Sequence, residues 1–161
     1  MTVGFQICVK EKYFMIKLFS VALLTAASLA GQAAPICSVV TVDDARALIG
    51  PTAKRTNDPS GCVWREANGK KRMNVAKVGS FAAFESYRAH SVKDGKTQTE
   101  NGLGGTGFSS IPTDGDGSRA AIYLMKGPVI LVVDIDGFAP GGAEERLPQV
   151  RDLVRKLVPK L

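Results

Sequence analysis

Asp134 and Asp136, in "VILVVDIDG", are the two carboxylates whose spacing could do chemistry. Two residues apart on an extended strand, they share a face, and a pair of carboxyl groups is the chemical requirement of a glycosidase. They also stand beside Gly137 at a strand exit, where two solvated acids are ordinary. Arg65 and Arg72 make a second candidate pair: set opposite each other on a hairpin, with Lys54 or Arg55 nearby, two guanidiniums could hold an anion. Left in water, they would simply turn apart. His90 is the chain's only histidine and so its single imidazole base. No G-x-S-x-G elbow accompanies it, since "GFSSI" and "DGSRA" both miss the pattern.

The stretch "NGLGGTGF", Asn101 to Phe108, spells G-x-G-x-x-G at Gly102, Gly104 and Gly107. A dinucleotide fingerprint needs a strand before it and a helix N-terminus after it, because the pyrophosphate rests on that helix end. Here polar "TQTE" precedes and "FSSIPTDGDG" follows, where Ile111-Pro112, Gly115 and Gly117 forbid a helix. The glycines read instead as turn positions and points of close backbone approach. "TDGDGS" and "VDIDGFAPGGAEE" fail the calcium-loop pattern. From Asp114, Arg119 falls where glycine belongs. From Asp134, Phe138 and Ala139 break the pattern although Glu145 fits its last position. The chain thus offers no cofactor or metal motif.

The elements that must position these residues can be read from pattern. "TVDDARALIG" is a short helix with Thr41 as cap and Asp44 near the positive helix end, stopped by Gly50 and Pro51. In "CVWREANGKKRMNV", Asn68-Gly69 suits a two-residue type I′ turn. Counting outward pairs Ala67 with Lys70, Arg65 with Arg72, Trp64 with Met73 and Cys62 with Val75, so Cys62, Trp64, Met73 and Val75 face the core. "SFAAFESYRAHS" is a second helix capped by Ser80, with Phe81, Phe84 and Tyr87 at three-residue spacing. Ile122 and Leu124 belong to a strand, Lys126-Gly127-Pro128 turns the chain, and Val129 to Val133, apolar on both faces, is a central strand. "RLPQVRDLVRKLVPKL" carries Leu147, Val150, Val154, Leu157 and Leu161 on one helical stripe, with Pro148 fit for the first turn. Two hairpins predict an α+β fold: an antiparallel sheet with a short N-terminal helix, a middle helix and a C-terminal amphipathic helix packed on it.

"MIKLFSVALLTAASLAGQAA" has the make-up of a secretory signal peptide. Lys17 is followed by an apolar run, Leu18 to Leu29, and by small residues Gly31, Ala33 and Ala34. The run is too short for a bilayer that needs about 20 residues. Translation is expected to start at Met15 and cleavage to follow Ala33, which leaves residues 1–33, Cys8 included, outside a single domain of 34–161. No cysteine follows the small residues directly, so a lipid anchor is not expected. Residues 1–33 hold three lysines and one glutamate, so +4 of the formal net charge of +6 stays with residues 34–161. That surplus is too small for a nucleic-acid footprint. Cys37 and Cys62 remain, and in an oxidising compartment an isolated pair is a disulfide.

From Cys37 onward the layout resembles small secreted bacterial proteins of unknown function, related to actinobacterial lipoproteins. The matching features are Cys37 ahead of "TVDDARALIG", Cys62-Val63-Trp64, Gly102-Leu103-Gly104 and the Ile130 to Asp134 strand. Gly105 replaces the acid that follows Gly-Leu-Gly in those proteins. The resemblance implies a helix-flanked antiparallel sheet similar to PsbP-like folds, and no activity. The functional expectation is a non-catalytic periplasmic or secreted protein that binds an envelope partner. Asn101, Gly102, Leu103, Gly104, Gly105, Thr106 and Gly107 form a candidate binding loop reaching to Gly117. The alternatives are a small hydrolase using Asp134 and Asp136, or an anion-binding domain using Arg65 and Arg72.

Overall fold

The computed structural model describes residues 34–58, 61–112 and 117–161, so the expected signal peptide, Cys8 and Asp114 to Asp116 lie outside the described residues. Two helices open it, α1 (Ala34–Val39) and α2 (Val42–Ile49). Strands β1 (Lys54–Thr56), β2 (Cys62–Arg65) and β3 (Arg72–Val78) follow. Helix α3 (Phe81–Asp94) leads to β4 (Gly95–Glu100), β5 (Thr106–Pro112), β6 (Ala120–Lys126) and β7 (Val129–Asp136), and α4 (Leu147–Leu157) closes the chain. All neighbouring strands pair antiparallel, in the order β1-β2-β3-β7-β6-β5-β4. The α+β class expected from the hairpins is the one observed. Two meanders are joined by α3, and the last strand, β7, returns to the middle of the sheet.

Cross-strand partners share a face, so the pairing sorts the core. Trp64, Met73, Ile135 and Ala120 lie in one row, and Cys62, Val75, Val133 and Ile122 in another. Both rows are buried under α1, α2 and α4, with Ile36, Ala45, Leu48 and Ile49 from the N-terminal helices and Leu147, Val150, Leu153, Val154 and Leu157 from α4. The other face carries a smaller cluster in which Phe84 of α3 meets Phe108 and Ile130. Phe84 is the one large residue α3 buries: Phe81 is 63% exposed and Tyr87 38%, so the expected aromatic stripe contributes a single core side chain.

Local chemistry explains the ends of the elements. Thr41 and Asp44 form a capping box: the Thr41 Oγ1 accepts from the Asp44 N–H at 3.2 Å, and the Thr41 N–H donates to Asp44 Oδ2 at 2.7 Å. Pro148 sits in the first turn of α4, which starts at Leu147 behind a 3-10 turn at Glu144–Arg146. The β2–β3 register is the expected one, Arg65 opposite Arg72 and Trp64 opposite Met73. Its turn differs. The Gly69 N–H donates to the Glu66 carbonyl at 2.8 Å, so Ala67 and Asn68 are the central residues and Gly69, at φ 72°, takes the left-handed position after them. The Asn68 side chain accepts from the Lys70 N–H at 2.9 Å, which favours this four-residue loop over the two-residue one. Helix α1 was not apparent in the sequence: six residues are too few to be helical alone.

Covalent and ionic ties fix the periphery. Cys37 of α1 is bonded to Cys62 of β2, with Cα atoms 5.3 Å apart. Glu100, at the end of edge strand β4, accepts from Arg151 Nε and Nη2 of α4, both at 2.7 Å. Burial pushes the Glu100 carboxyl up, and the hydrogen bonds from Arg151 and Ser109 outweigh it, holding it below the ordinary glutamate value. Lys156 of α4 reaches Asp44 at 2.6 Å.

Replacing both Cys37 and Cys62 by Ser lowers the unfolding free energy by about 3 kcal/mol, because the bridge closes a loop between cysteines 25 positions apart. Urea unfolding checks this, and wild type in reductant should fall to the same midpoint. Glu100→Gln costs about 1–3 kcal/mol near neutral pH. A carboxylate with a depressed folded value contributes stability above its unfolded pKa and loses it as pH falls through the folded one. The wild-type advantage over Glu100→Gln should therefore shrink on acidification below the ordinary glutamate range.

Candidate binding face

The rows on the α3 side of the sheet gather the residues singled out by type. Lys54, Arg65, Arg72 and Asp136 are successive cross-strand partners on β1, β2, β3 and β7. In the next row on the same face stand Thr56, Val63, Asn74, Asp134, Ala121 and Ser110. Asp134 and Asp136 share a face, and Arg65 opposes Arg72, as the alternation requires. The pairing of β3 with β7 adds what no local pattern carries: the two arginines and the two aspartates belong to one polar patch, with Arg72 the direct partner of Asp136.

The two aspartates are differently engaged. Asp134 is buried, and its Oδ2 accepts from both Nε (3.0 Å) and Nη2 (2.6 Å) of Arg119, whose side chain is half exposed. Burial lowers the Arg119 guanidinium, but the charge of Asp134 and its hydrogen bond outweigh that and raise it. Asp136 Oδ1 accepts from the Gly137 N–H at 2.7 Å. The Asp134 carboxylate is thus engaged by a guanidinium, whereas Asp136 bonds only to the backbone beside it. The cations are free by comparison. Among the described residues, neither Lys54, Arg65 nor Arg72 forms an ion pair. Arg72 Nε and Asn74 Oδ1 are buried without a hydrogen-bond partner.

The charge is also segregated along the chain. Residues 51–72 contain Lys54, Arg55, Arg65, Lys70, Lys71 and Arg72 against Asp58 and Glu66, a surplus of four. That equals the whole net charge of residues 34–161. The excess is thus concentrated in β1, β2 and the β2–β3 hairpin, at one edge of the sheet.

Beside the patch, the second half of α3 and strands β5 and β6 enclose a cleft of about 180 Å³ lined by His90, Ser91, Asp94, Ser110, Pro112, Arg119, Ala121 and Tyr123. His90 Nδ1 donates to the Ser86 carbonyl at 3.0 Å within the helix. Tyr123 is stacked between Tyr87 and Phe108, with centroids 5.1 and 4.8 Å away. Burial raises its phenol, against the pull of Arg119. Arg119 and Asn74 were not legible as site residues. Arg119 precedes its strand, and Asn74 could be found only through its place on the outer face two positions from Arg72.

The glycine-rich segment is shorter as a loop than expected. Asn101–Gly105 joins β4 to β5, whereas Thr106 and Gly107 are already in β5, which runs to Pro112. Alternation decides this: Phe108 faces the α3 side, and Ile111 packs in the core under α4. A Cβ on Gly107 would stand 2.9 Å from the Tyr123 carbonyl, so the close approach of β5 to β6 requires glycine. Leu103 is buried and pins the loop to the main core. The loop lies at the β6–β7 turn end of the strands, the opposite end from the row of Arg72. Among the described residues, no three His, Cys, Asp or Glu side chains come together as a metal site.

Fold and patch together define a disulfide-stapled, helix-flanked antiparallel α+β domain with a basic sheet edge. No protein-family model matches the chain, and no curated protein sequence matches it.

Arg119→Met removes the partner of a buried carboxylate and should cost about 1–3 kcal/mol. Asp134→Asn in the same background should recover part of that loss. A double-mutant cycle by urea unfolding measures the coupling, and additive losses would mean that the pair contributes nothing jointly.

Proposed function

We propose that the chain is exported from the cytoplasm by its Met15–Ala33 segment and that the domain beginning near Ala34 is a non-catalytic module of the cell envelope, related in layout to small secreted bacterial proteins. Its work is to hold an anionic envelope component on the basic edge of the sheet. The observation that carries this reading is the Lys54–Arg65–Arg72 row, three cations on adjacent strands that form no ion pair among the described residues, although Asp136 stands opposite Arg72. Like charges directly opposite each other on a sheet repel, so Arg65 and Arg72 destabilise the fold slightly until something neutralises them. The Cys37–Cys62 bridge and the lack, among the described residues, of a helix long and apolar enough to cross a membrane are compatible with export. Hydrolysis by Asp134 and Asp136 is disfavoured because Arg119 occupies the Asp134 carboxylate.

Heparin chromatography tests the assignment to the edge. The Arg65→Glu, Arg72→Glu variant should elute at clearly lower salt than wild type, since exposed charges act through a screened field. Lys93→Glu with Lys96→Glu makes the same change in net charge from exposed positions at the other edge and should elute close to wild type. Equal shifts for both variants would show that retention follows net charge alone and would remove the edge from consideration.

A further inference from the structure

The chemistry of the row narrows the anion, given the reading that the basic edge takes an anionic envelope component. Lys54, Arg65 and Arg72 bring three positive charges and Asp136 one negative, a surplus of two in a single row. A carboxylate or a phosphodiester carries one charge, whereas a phosphate monoester carries close to two near neutral pH. Guanidiniums are planar forks that match phosphate oxygens two at a time, which an ammonium does not do. Opposite side chains on a sheet start about 5 Å apart, so both forks can close on one group. Among the described residues Arg72 forms no ion pair, its Nε is buried without a hydrogen-bond partner, and Asp136 Oδ1 accepts from the Gly137 N–H.

Enclosure decides how that phosphate is presented. Neither the cleft under α3 nor the groove of about 320 Å³ between α2 and α4 includes any of the three cations. Lys54 and Arg65 are exposed, so the row is open on one side. Small molecules bound singly are mostly engulfed. An open row suits a group displayed in many copies, where avidity supplies the affinity. We propose that Arg65 and Arg72, with Lys54 adding charge, form a receptor for phosphate monoester headgroups displayed on an envelope lipid surface.

The test uses protein recovered from the envelope fraction of producing cells, with its N-terminus defined by mass spectrometry and shared by all variants. Co-flotation is measured on phosphatidylcholine vesicles containing phosphatidic acid, a monoester. The comparison vesicles contain enough phosphatidylglycerol, a diester, to match the surface potential. Wild type should bind the monoester surface about tenfold tighter. Arg65→Lys with Arg72→Lys keeps the charge and should abolish that preference while leaving heparin elution unchanged; circular dichroism and an intact disulfide establish folding. Equal binding to the two surfaces by wild type, or a preference that survives in the lysine variant, overturns the proposal. If heparin retention at the edge persists in either case, the broader anionic reading stands; if it is lost as well, both fall. Inorganic phosphate should not displace the protein at concentrations matching the vesicle phosphate. Displacement there would assign the site to the free ion and overturn the lipid surface as its source.

Discussion

The pleat of β7 is the constraint on which everything else depends. Its odd residues, Leu131, Val133 and Ile135, enter the core under α1, α2 and α4. Its even residues, Ile130, Val132, Asp134 and Asp136, turn to the α3 side. Because β7 pairs with both meanders, its register decides which side chains of β3 and β6 share each face. A slip of one residue would bury two aspartates under α4 and expose three large aliphatic groups. Burying an unpaired carboxylate is expensive in itself, so the hydrophobic and the electrostatic penalties select the same register. The polar patch is a direct product of that selection, since only this register sets Arg72 and Asn74 opposite Asp136 and Asp134.

Lesser ties act at the margins, each where the main core is thin. The disulfide anchors a helix of six residues that could not persist alone. The Glu100–Arg151 fork fastens the outermost strand, β4, whose side chains between Gly95 and Glu100 are mostly exposed. The Lys156–Asp44 pair joins the end of α4 to the capped start of α2. Two of these ties are ionic and most of their groups are shielded from water, so they resist screening better than Arg46–Asp43 or Arg155–Asp152, which lie in the open on single helices. On the opposite face α3 contributes only Phe84 and the aromatic stack around Tyr123, a thinner contact that leaves the polar rows of β1, β2 and β3 beyond its reach.

The fold was legible wherever one local rule dominated. The cap at Thr41, the stripe of α4 and the double-sided strand at Val129–Val133 each follow from one local rule and are present, except that α4 ends at Leu157 and Leu161 lies past a 3-10 turn at Val158–Lys160. The tip of the β2–β3 hairpin departs from the two-residue turn because Asn68 bonds to the backbone of Lys70 and competes with the glycine for the turn. Strand β5 was hidden by glycines and by Pro112, residues that usually end strands. Its pairing on both sides, with β4 and β6, overrides those preferences. Of the site, Arg65 opposite Arg72 and Asp134 beside Asp136 were visible in the spacing. Their union was not, because β3 and β7 pair across more than fifty residues and no local pattern encodes a contact of that range. Arg119 was invisible for the same reason, being defined by a partner fifteen residues away on another strand.

The basic edge carries more charge than protection of an edge strand requires. Edge strands are kept from pairing with other chains by being short and charged, and β1, three residues long with Lys54 and Arg55, fits that description. Arg65 and Arg72 do not. They lie on β2 and β3, inside the sheet, where no exposed backbone needs protection. Solubility does not require them either, since two like charges on the same row repel where a lysine and a glutamate would attract. Nor does packing, because Arg72 Nε has no partner and Asn74 beside it has an unsatisfied oxygen. Arg65 therefore stands between Lys54 and Arg72, with the one acid of the row, Asp136, facing only Arg72. An anion entering the row would relieve that contact, which is the physical ground for the binding role proposed for this edge.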